Sequence, residues 1–188
     1  QIHPTEAKDA VRGMKSRTEA ALQAQGSEWG EVKLGRGSIR DIEFTTQYLQ
    51  LMHGAENPSI RTPNTLEALG RLRNQDYLEA DSYRVLNEGY TFLRTVEHYL
   101  QMMHYQQTHR LPSDSDALRR LGRRLGFEGE DAGEQFVDRY EQHRRAVRAV
   151  YLDHLGEKSM DTQSRTIQPP DELNDQPESS LEHRERMD

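Results

Sequence analysis

The sequence predicts an all-α protein, a multi-helix antiparallel bundle of about six helices with a disordered or extended C-terminal tail, and three observations carry that prediction. Apolar residues recur at steps of three and four almost throughout residues 1–156. Alternating apolar and polar runs long enough for a strand are missing from the same stretch, and helix stops and caps fall between the periodic segments. The first helix runs from about Thr5 to Gln25, with Val11, Met14, Thr18, Ala21 and Leu22 turned inward and Gly26 as its stop. A connector passes through Trp29. The second helix begins near Ser38 and reaches His53, and its apolar residues (Ile39, Ile42, Phe44, Tyr48, Leu49, Leu51, Met52) cover most of its circumference, which predicts burial among other helices. Asn57-Pro58 and Thr62-Pro63 punctuate a loop, and Asn64 caps a short helix with Leu66, Leu69 and Leu72 on one stripe. From about Glu79 to His104 the residues Leu86, Tyr90, Leu93, Val96, Leu100 and Met103 mark the longest helix. Asp114 or Ser115 opens another through Leu118, Leu121 and Leu125, closed by Gly126, and the last carries Phe136, Tyr140, Val147, Tyr151 and Leu155 up to Gly156.

Composition narrows the class. The 188 residues are 33% hydrophobic and 30% charged, with a formal charge of −7. A membrane-spanning run of about 18 apolar residues is absent, and the first residues lack both the basic start and the apolar stretch of a signal peptide, so the expectation is a cytoplasmic protein that spans no membrane. Without cysteine there is no disulfide framework, thiolate metal site or cysteine nucleophile. Residues 157–188 hold 9 acidic and 4 basic side chains, no aromatic residue, and Pro169, Pro170 and Pro177, and so read as a polar tail or linker. A start at Gln1 rather than Met suggests a piece of something longer.

The most unusual segment is Lys33-Leu34-Gly35-Arg36-Gly37-Ser38-Ile39-Arg40-Asp41-Ile42-Glu43-Phe44. Two glycines and a serine directly before a helix leave backbone N–H groups free at the positive end of its dipole, and Lys33, Arg36 and Arg40 add three cations that together suit a phosphate or carboxylate. Asp41 and Glu43 oppose a bare anion cradle, because acids in the first turn already complement the dipole, and they point instead to a bound Arg or Mg²⁺. The alternative is a tight turn at Gly35 and Gly37, with Arg40 and the acids in buried structural ion pairs. The segment matches neither a Walker A loop nor a strand-borne GxGxxG.

A second polar group comprises Glu97, His98 and Gln101, continuing to Gln107, Thr108 and His109. Within an apolar helix such residues need partners, so they are expected to form a structural polar core with arginines such as Arg40, Arg61 or Arg94. His98 and His104 are six apart and face different sides of a helix, which disfavours metal. Ser113-Asp114-Ser115-Asp116 reads as helix capping. Arg119, Arg120, Arg123, Arg124, Arg139, His143, Arg144, Arg145 and Arg148 form two basic stripes, but the interleaved Glu128, Glu130, Asp131, Glu134, Asp138 and Glu141 argue for a charged helical face and against nucleic acid. No nucleophile-base order and no strand-borne carboxylate pair is present, so no catalytic or metal-ligating residue is assigned within these residues.

The runs KLGRGSIRDIEFTTQYLQLMHG (33–54), PSIRTPNTLEALGRL (58–72), YTFLRTVEHYLQ (90–101) and QQTHRLP (106–112), in that order, resemble the helical region of the bacterial glutamine synthetase adenylyltransferase/deadenylylase family. A similar helical module accompanies the nucleotidyltransferase domain of the related PII uridylyltransferase. The likeness covers about residues 8–156, with Gly37-Ser38 where the family usually has Gly-Gly, Asp41 where it commonly has Glu, and His98-Tyr99-Leu100 in place of His-Arg-Leu. The Pro-Ser-Ile-Arg-Thr and Gln-Thr-His-Arg-Leu-Pro runs look more like the amino-terminal, deadenylylating half of that family.

This resemblance implies that the intact enzyme transfers AMP from ATP to a tyrosine of glutamine synthetase and removes it by phosphorolysis, with Mg²⁺, answering to the PII signalling protein and to glutamine. It implies that residues 1–156 form a helical domain beside a nucleotidyltransferase domain, inactive alone and with no cofactor of its own; the chain is separately expected to be a monomer. By the same resemblance Lys33, Gly35, Gly37, Arg40, Asp41 and Glu43 match the loop-and-helix signature, Arg61 the arginine after it, and Glu97, His98, Gln107, Thr108 and His109 the later polar blocks. The rival expectations are a non-enzymatic module that binds a regulatory protein through the basic stripes, and the helical module of a uridylyltransferase.

Overall fold

A computed structural model describes residues 4–26, 29–104 and 109–156; Gln107, Thr108 and the tail from 157 onward lie outside the described residues. Among the described residues six helices follow one another: α1 (Pro4–Ala24), α2 (Ile39–His53), α3 (Thr65–Asn74), α4 (Ala80–His104), α5 (Ser115–Arg124) and α6 (Ala132–Leu155), with a 3₁₀ turn at Pro58–Ile60. Among the described residues the one piece of β-pairing is an isolated antiparallel bridge between Glu31 and Arg110. No described helix is long and apolar enough to cross a membrane.

The expected caps are in place. Asn64 accepts a hydrogen bond from the Glu67 backbone N–H at 3.0 Å and opens α3, and Asp114 accepts from Ala117 N–H at 2.8 Å and opens α5. Beside the first cap, the Thr62 hydroxyl and then Arg71 hold the Glu67 carboxyl below its usual range. Asn64→Ala is expected to lower stability by about 1 kcal/mol in urea unfolding, with α3 the first helix to lose protection. Gly126, at φ +91°, adopts a backbone that side chains resist and ends the turn after α5.

The interior is filled from every helix but α1. Ile39, Ile42 and Leu49 of α2, Leu69 and Leu72 of α3, Leu86, Leu93, Val96 and Leu100 of α4, Leu121 of α5 and Phe136, Tyr140 and Val147 of α6 form one buried cluster. Thr45 and Thr46 are buried beside it, with hydroxyls donating to the carbonyls of Asp41 and Ile42, both at 2.8 Å, one turn back along α2. Gly122 lets α5 and α6 approach so closely that a Cβ there would stand 2.2 Å from the Ala132 carbonyl oxygen. A smaller cluster of Val11, Phe44, Tyr151 and Leu155 docks α1 on α2 and α6.

Four expected core positions are corrected. Met14 is 45% exposed and Ala21 is also exposed, because the buried stripe of α1 runs Ala7, Val11, Lys15 at four-residue steps. Leu51 is 54% exposed, since α2 is buried along its first half and only on one side near its end. Leu66 lies at the open start of α3, where Ala68, Leu69 and Leu72 supply the packed face instead.

Two histidines of α6 are expected to make the bundle acid-sensitive. Burial holds the imidazoles of His143 and His154 below their usual range; Arg139 adds to this at the first and Lys8 at the second, while Glu88, and Asp153 with Glu79, oppose it. Below about pH 6.5 the unfolded chain takes up protons at these histidines that the folded chain does not, so stability is expected to fall as pH descends from there toward their depressed values. Urea midpoints measured from pH 7.5 down to 5 check this, and a His143→Gln/His154→Gln variant is expected to show a shallower decline.

Candidate functional site

The segment before α2 is a folded turn whose polar groups are engaged one by one. Gly37 sits at φ +66°, and its N–H donates to Asp41 Oδ2 at 2.8 Å. At the start of α2, Ile39 N–H donates to Val32 O at 3.1 Å, Arg40 N–H to Lys33 O at 3.0 Å and Asp41 N–H to Ser38 O at 3.0 Å. Ser38 is buried and its hydroxyl donates to Lys33 O at 2.7 Å rather than capping the helix. Glu31 Oε1 accepts from the N–H groups of Lys33 and Leu34 at 3.1 and 3.2 Å. The Gly37, Ile39, Arg40 and Asp41 amides, which could otherwise face an anion, therefore already have partners within the chain.

Asp41 is the centre of this turn and is fully buried. Its Oδ1 lies 2.6 Å from Lys15 Nζ of α1 and its Oδ2 lies 3.2 Å from Arg148 Nη1 of α6. Lys15, 2% exposed, also donates to the carbonyls of Leu34 at 2.9 Å and Gly35 at 2.6 Å. Arg148 reaches Glu19 Oε1 at 2.9 Å and lies over the Tyr151 ring, 4.8 Å from its centre. Burial and the nearby Asp41 carboxylate push the Tyr151 phenol up to about 12, so it stays protonated beside these acids. Arg144 Nε donates to Arg36 O at 3.0 Å, and its own carbonyl oxygen lies where a Cβ on Gly37 would be only 2.0 Å away. Three helices thus meet on one turn through paired charges.

The three cations expected to converge on one anion diverge to three acids. Lys33 Nζ lies 3.3 Å from Glu97, Arg36 Nε 3.3 Å from Glu19, and Arg40 Nε 3.6 Å from Glu43, with the Arg40 guanidinium 5.4 Å from the Phe44 ring centre. Arg61 is elsewhere, donating to Gly54 O at 2.7 Å beyond the end of α2.

Glu97 anchors a second polar group. It is 3% exposed, paired with Arg94, and its Oε1 stands 3.3 Å from Lys33 Nζ and 3.1 Å from His109 Nδ1. His109 is held in turn by its carbonyl, which accepts from Val32 N–H at 2.8 Å, next to the Glu31–Arg110 bridge. Of the partners expected for Glu97, the structure supplies Arg94. His98 is exposed, since one step along α4 turns it about 100° from Glu97, and it does not join the buried group; Gln101 is half-buried. The basic stripes are partly neutralised, with Arg119 and Arg123 on Glu130 and Arg144 on Glu141.

The buried carboxylates of Asp41 and Glu97 are each flanked by two cations, an arrangement that opposes Mg²⁺. Sequence reasoning missed Lys15 and Glu19, and placed Arg144 and Arg148 on a solvated or interhelical charged face without naming their partners. The signal was present in the spacing: Lys15 follows Ala7 and Val11 on one face of α1 with Glu19 four residues further on, and Arg148 lies between Val147 and Tyr151.

Comparison with known proteins gives the context. The chain is 41% identical over 121 residues to the bifunctional glutamine synthetase adenylyltransferase/adenylyl-removing enzyme of Cutibacterium acnes, covering 64% of this chain and 12% of the relative. The enzyme of that name from Streptomyces avermitilis is 38% identical over 141 residues, 75% of this chain and 14% of its own. That from Hahella chejuensis is 34% identical over 149 residues, 79% and 15% respectively. The chain thus spans only a small part of the length of these relatives. The family model described as GlnD PII-uridylyltransferase matches residues 8–154, from α1 to the end of α6. Over those residues the chain belongs to the GlnD PII-uridylyltransferase family.

Proposed function

We propose that this chain is the helical module of a glutamine synthetase adenylyltransferase, which holds an adjacent nucleotidyltransferase domain in position while that domain transfers AMP from ATP to glutamine synthetase and removes it by phosphorolysis. The observation that carries the reading is the 34–41% identity to relatives bearing that enzyme's name, extending over as much as 79% of this chain. The Asp41 turn supports a positioning role, because it ties α1, α2 and α6 together by ion pairs. On this reading ATP and Mg²⁺ belong to the neighbouring domain, residues 1–156 form the module, and 157–188 form a linker. Glutamine synthetase and PII are its protein partners, and the module works in the cytoplasm as a monomer without nucleic acid.

The test joins this chain to a nucleotidyltransferase domain of the family in one reading frame and assays both acceptors with Mg²⁺. Transfer of AMP to glutamine synthetase by the joined protein, its loss when residues 4–156 are deleted, and no transfer by the 188-residue chain alone are the expected results. The family description favours one second reading, the module of a PII uridylyltransferase. Transfer of UMP to PII with glutamine synthetase untouched would establish that reading and overturn the first.

A further inference from the structure

Helix α1 is held in a different way from the other five. None of its described side chains enters the main buried cluster, and Ala7, Val11 and Lys15 are its buried residues. With Glu19 they make one ridge at four-residue steps, apolar in its first half and ionic in its second. The apolar half offers a methyl and an isopropyl group, and Val11 is the one that joins Phe44, Tyr151 and Leu155. By contrast, α4 gives the core Leu86, Leu93, Val96 and Leu100, all fully buried. Apolar stabilisation grows with the area removed from water, so among these helices α1 has a weak hydrophobic hold.

The ionic half is matched on each side of the contact. Lys15 Nζ stands 3.6 Å from Glu19 Oε1 on α1 itself, and Asp41 Oδ2 stands 3.2 Å from Arg148 Nη1 between α2 and α6. The pairs that cross the contact are Lys15 with Asp41 at 2.6 Å, Glu19 with Arg148 at 2.9 Å and Glu19 with Arg36 at 3.3 Å. When α1 leaves, these cross pairs break, yet a cation and an acid stay together on either side. The large cost of a lone buried charge therefore does not arise. Arg36, whose side chain is 58% exposed, already meets water. The turn before α2 survives as well, because the Gly37, Ile39 and Arg40 amides donate to Asp41, Val32 and Lys33, and Arg144 holds Arg36 O, with no group of α1 involved.

We infer that α1 is a releasable strap, which opens as one unit while α2–α6 and the Asp41 turn stay folded, and so uncovers a groove between α2 and α6 floored by Phe44, Tyr48, Tyr151 and Leu155. The module then has two states, strap closed and strap open, that a neighbouring domain can bias by favouring one of them. The inference concerns this chain alone and stands whichever protein the parent enzyme modifies.

The experiment is native-state amide hydrogen exchange in the 188-residue chain, followed residue by residue by NMR over a urea series below the unfolding transition. The amides from Val11 to Glu19 are expected to exchange through one shared opening, at least about a hundredfold faster than those around Leu93 and Val96 of α4 and with a shallower urea dependence. Two variants separate release from global unfolding. Asn64→Ala, at the cap of α3, is expected to speed exchange in α4 about fivefold and leave α1 unchanged. Val11→Ala is expected to speed exchange in both helices by the same factor, about tenfold, because the docked strap is lost in both openings. Exchange in α1 at the rate and urea slope of α4, or an equal rise in both helices in Asn64→Ala, would overturn the strap. So would protection that climbs turn by turn from Pro4, the pattern of a fraying helix. Circular dichroism checks that each variant is folded, and where one is not, the rates and slopes of the parent chain decide.

Discussion

Replacing Gly37 by alanine is expected to destabilise the bundle by about 3–5 kcal/mol, combining a left-handed backbone penalty with an overpacked contact. At φ +66° a side chain is strained wherever it points. Here the new Cβ would also meet Arg144 of α6, 2.0 Å from its carbonyl oxygen and 2.7 Å from the carbonyl carbon. Neither atom belongs to a movable side chain, so relief requires shifting α6 or unwinding the turn. Either shift breaks the Arg144 bond to Arg36 O and displaces Gly37 N–H from Asp41. Urea unfolding followed by circular dichroism measures the loss. Gly26→Ala is the useful contrast, since it shares a positive φ of 60° but has open space around it, and it is expected to lose only about 1–2 kcal/mol.

The second large effect is expected from Asp41→Asn, about 3 kcal/mol, toward the lower end of the range for removing one member of a buried ion pair. The asparagine keeps an acceptor for Gly37 N–H but leaves Lys15, 2% exposed, with Glu19 at 3.6 Å as its nearest remaining carboxylate. Lys15→Met removes the cation and its polar contacts while keeping most of the length of the side chain, and is expected to cost less than Asp41→Asn, because Arg148 still answers the carboxylate. A double-mutant cycle on the two positions is expected to show a coupling of roughly 1–3 kcal/mol in thermal or urea unfolding. Additivity would mean that the pair carries no energy of its own.

Most of the architecture was legible because helix punctuation is local. Asn64, Asp114 and Gly126 do at their sites what their types do in any chain, and the step of three and four residues located all six helices. The helix faces were less legible where polarity and burial part company. Met14 is apolar and 45% exposed while Lys15 is charged and buried, and only the partner Asp41, 26 positions further on, explains the choice. The turn at 33–43 was recognisable as unusual from its glycines and charges. What those charges face was not recognisable, because Glu19, Glu97, Arg144 and Arg148 are brought to it by the packing of α1, α4 and α6. His98 shows the reverse case, a residue read as core by its neighbours and placed outside by one step of helical rotation.

Native-state hydrogen exchange at the Gly37, Ile39 and Arg40 amides tests most directly whether this turn is a closed internal brace. All three N–H groups are bonded within the chain, to Asp41 Oδ2, Val32 O and Lys33 O. The account predicts that they exchange only through global unfolding, with the same urea dependence as the amides of α4 around Leu93 and Val96. Exchange within about tenfold of the unprotected peptide rate, insensitive to urea, would show the turn open to solvent and contradict it.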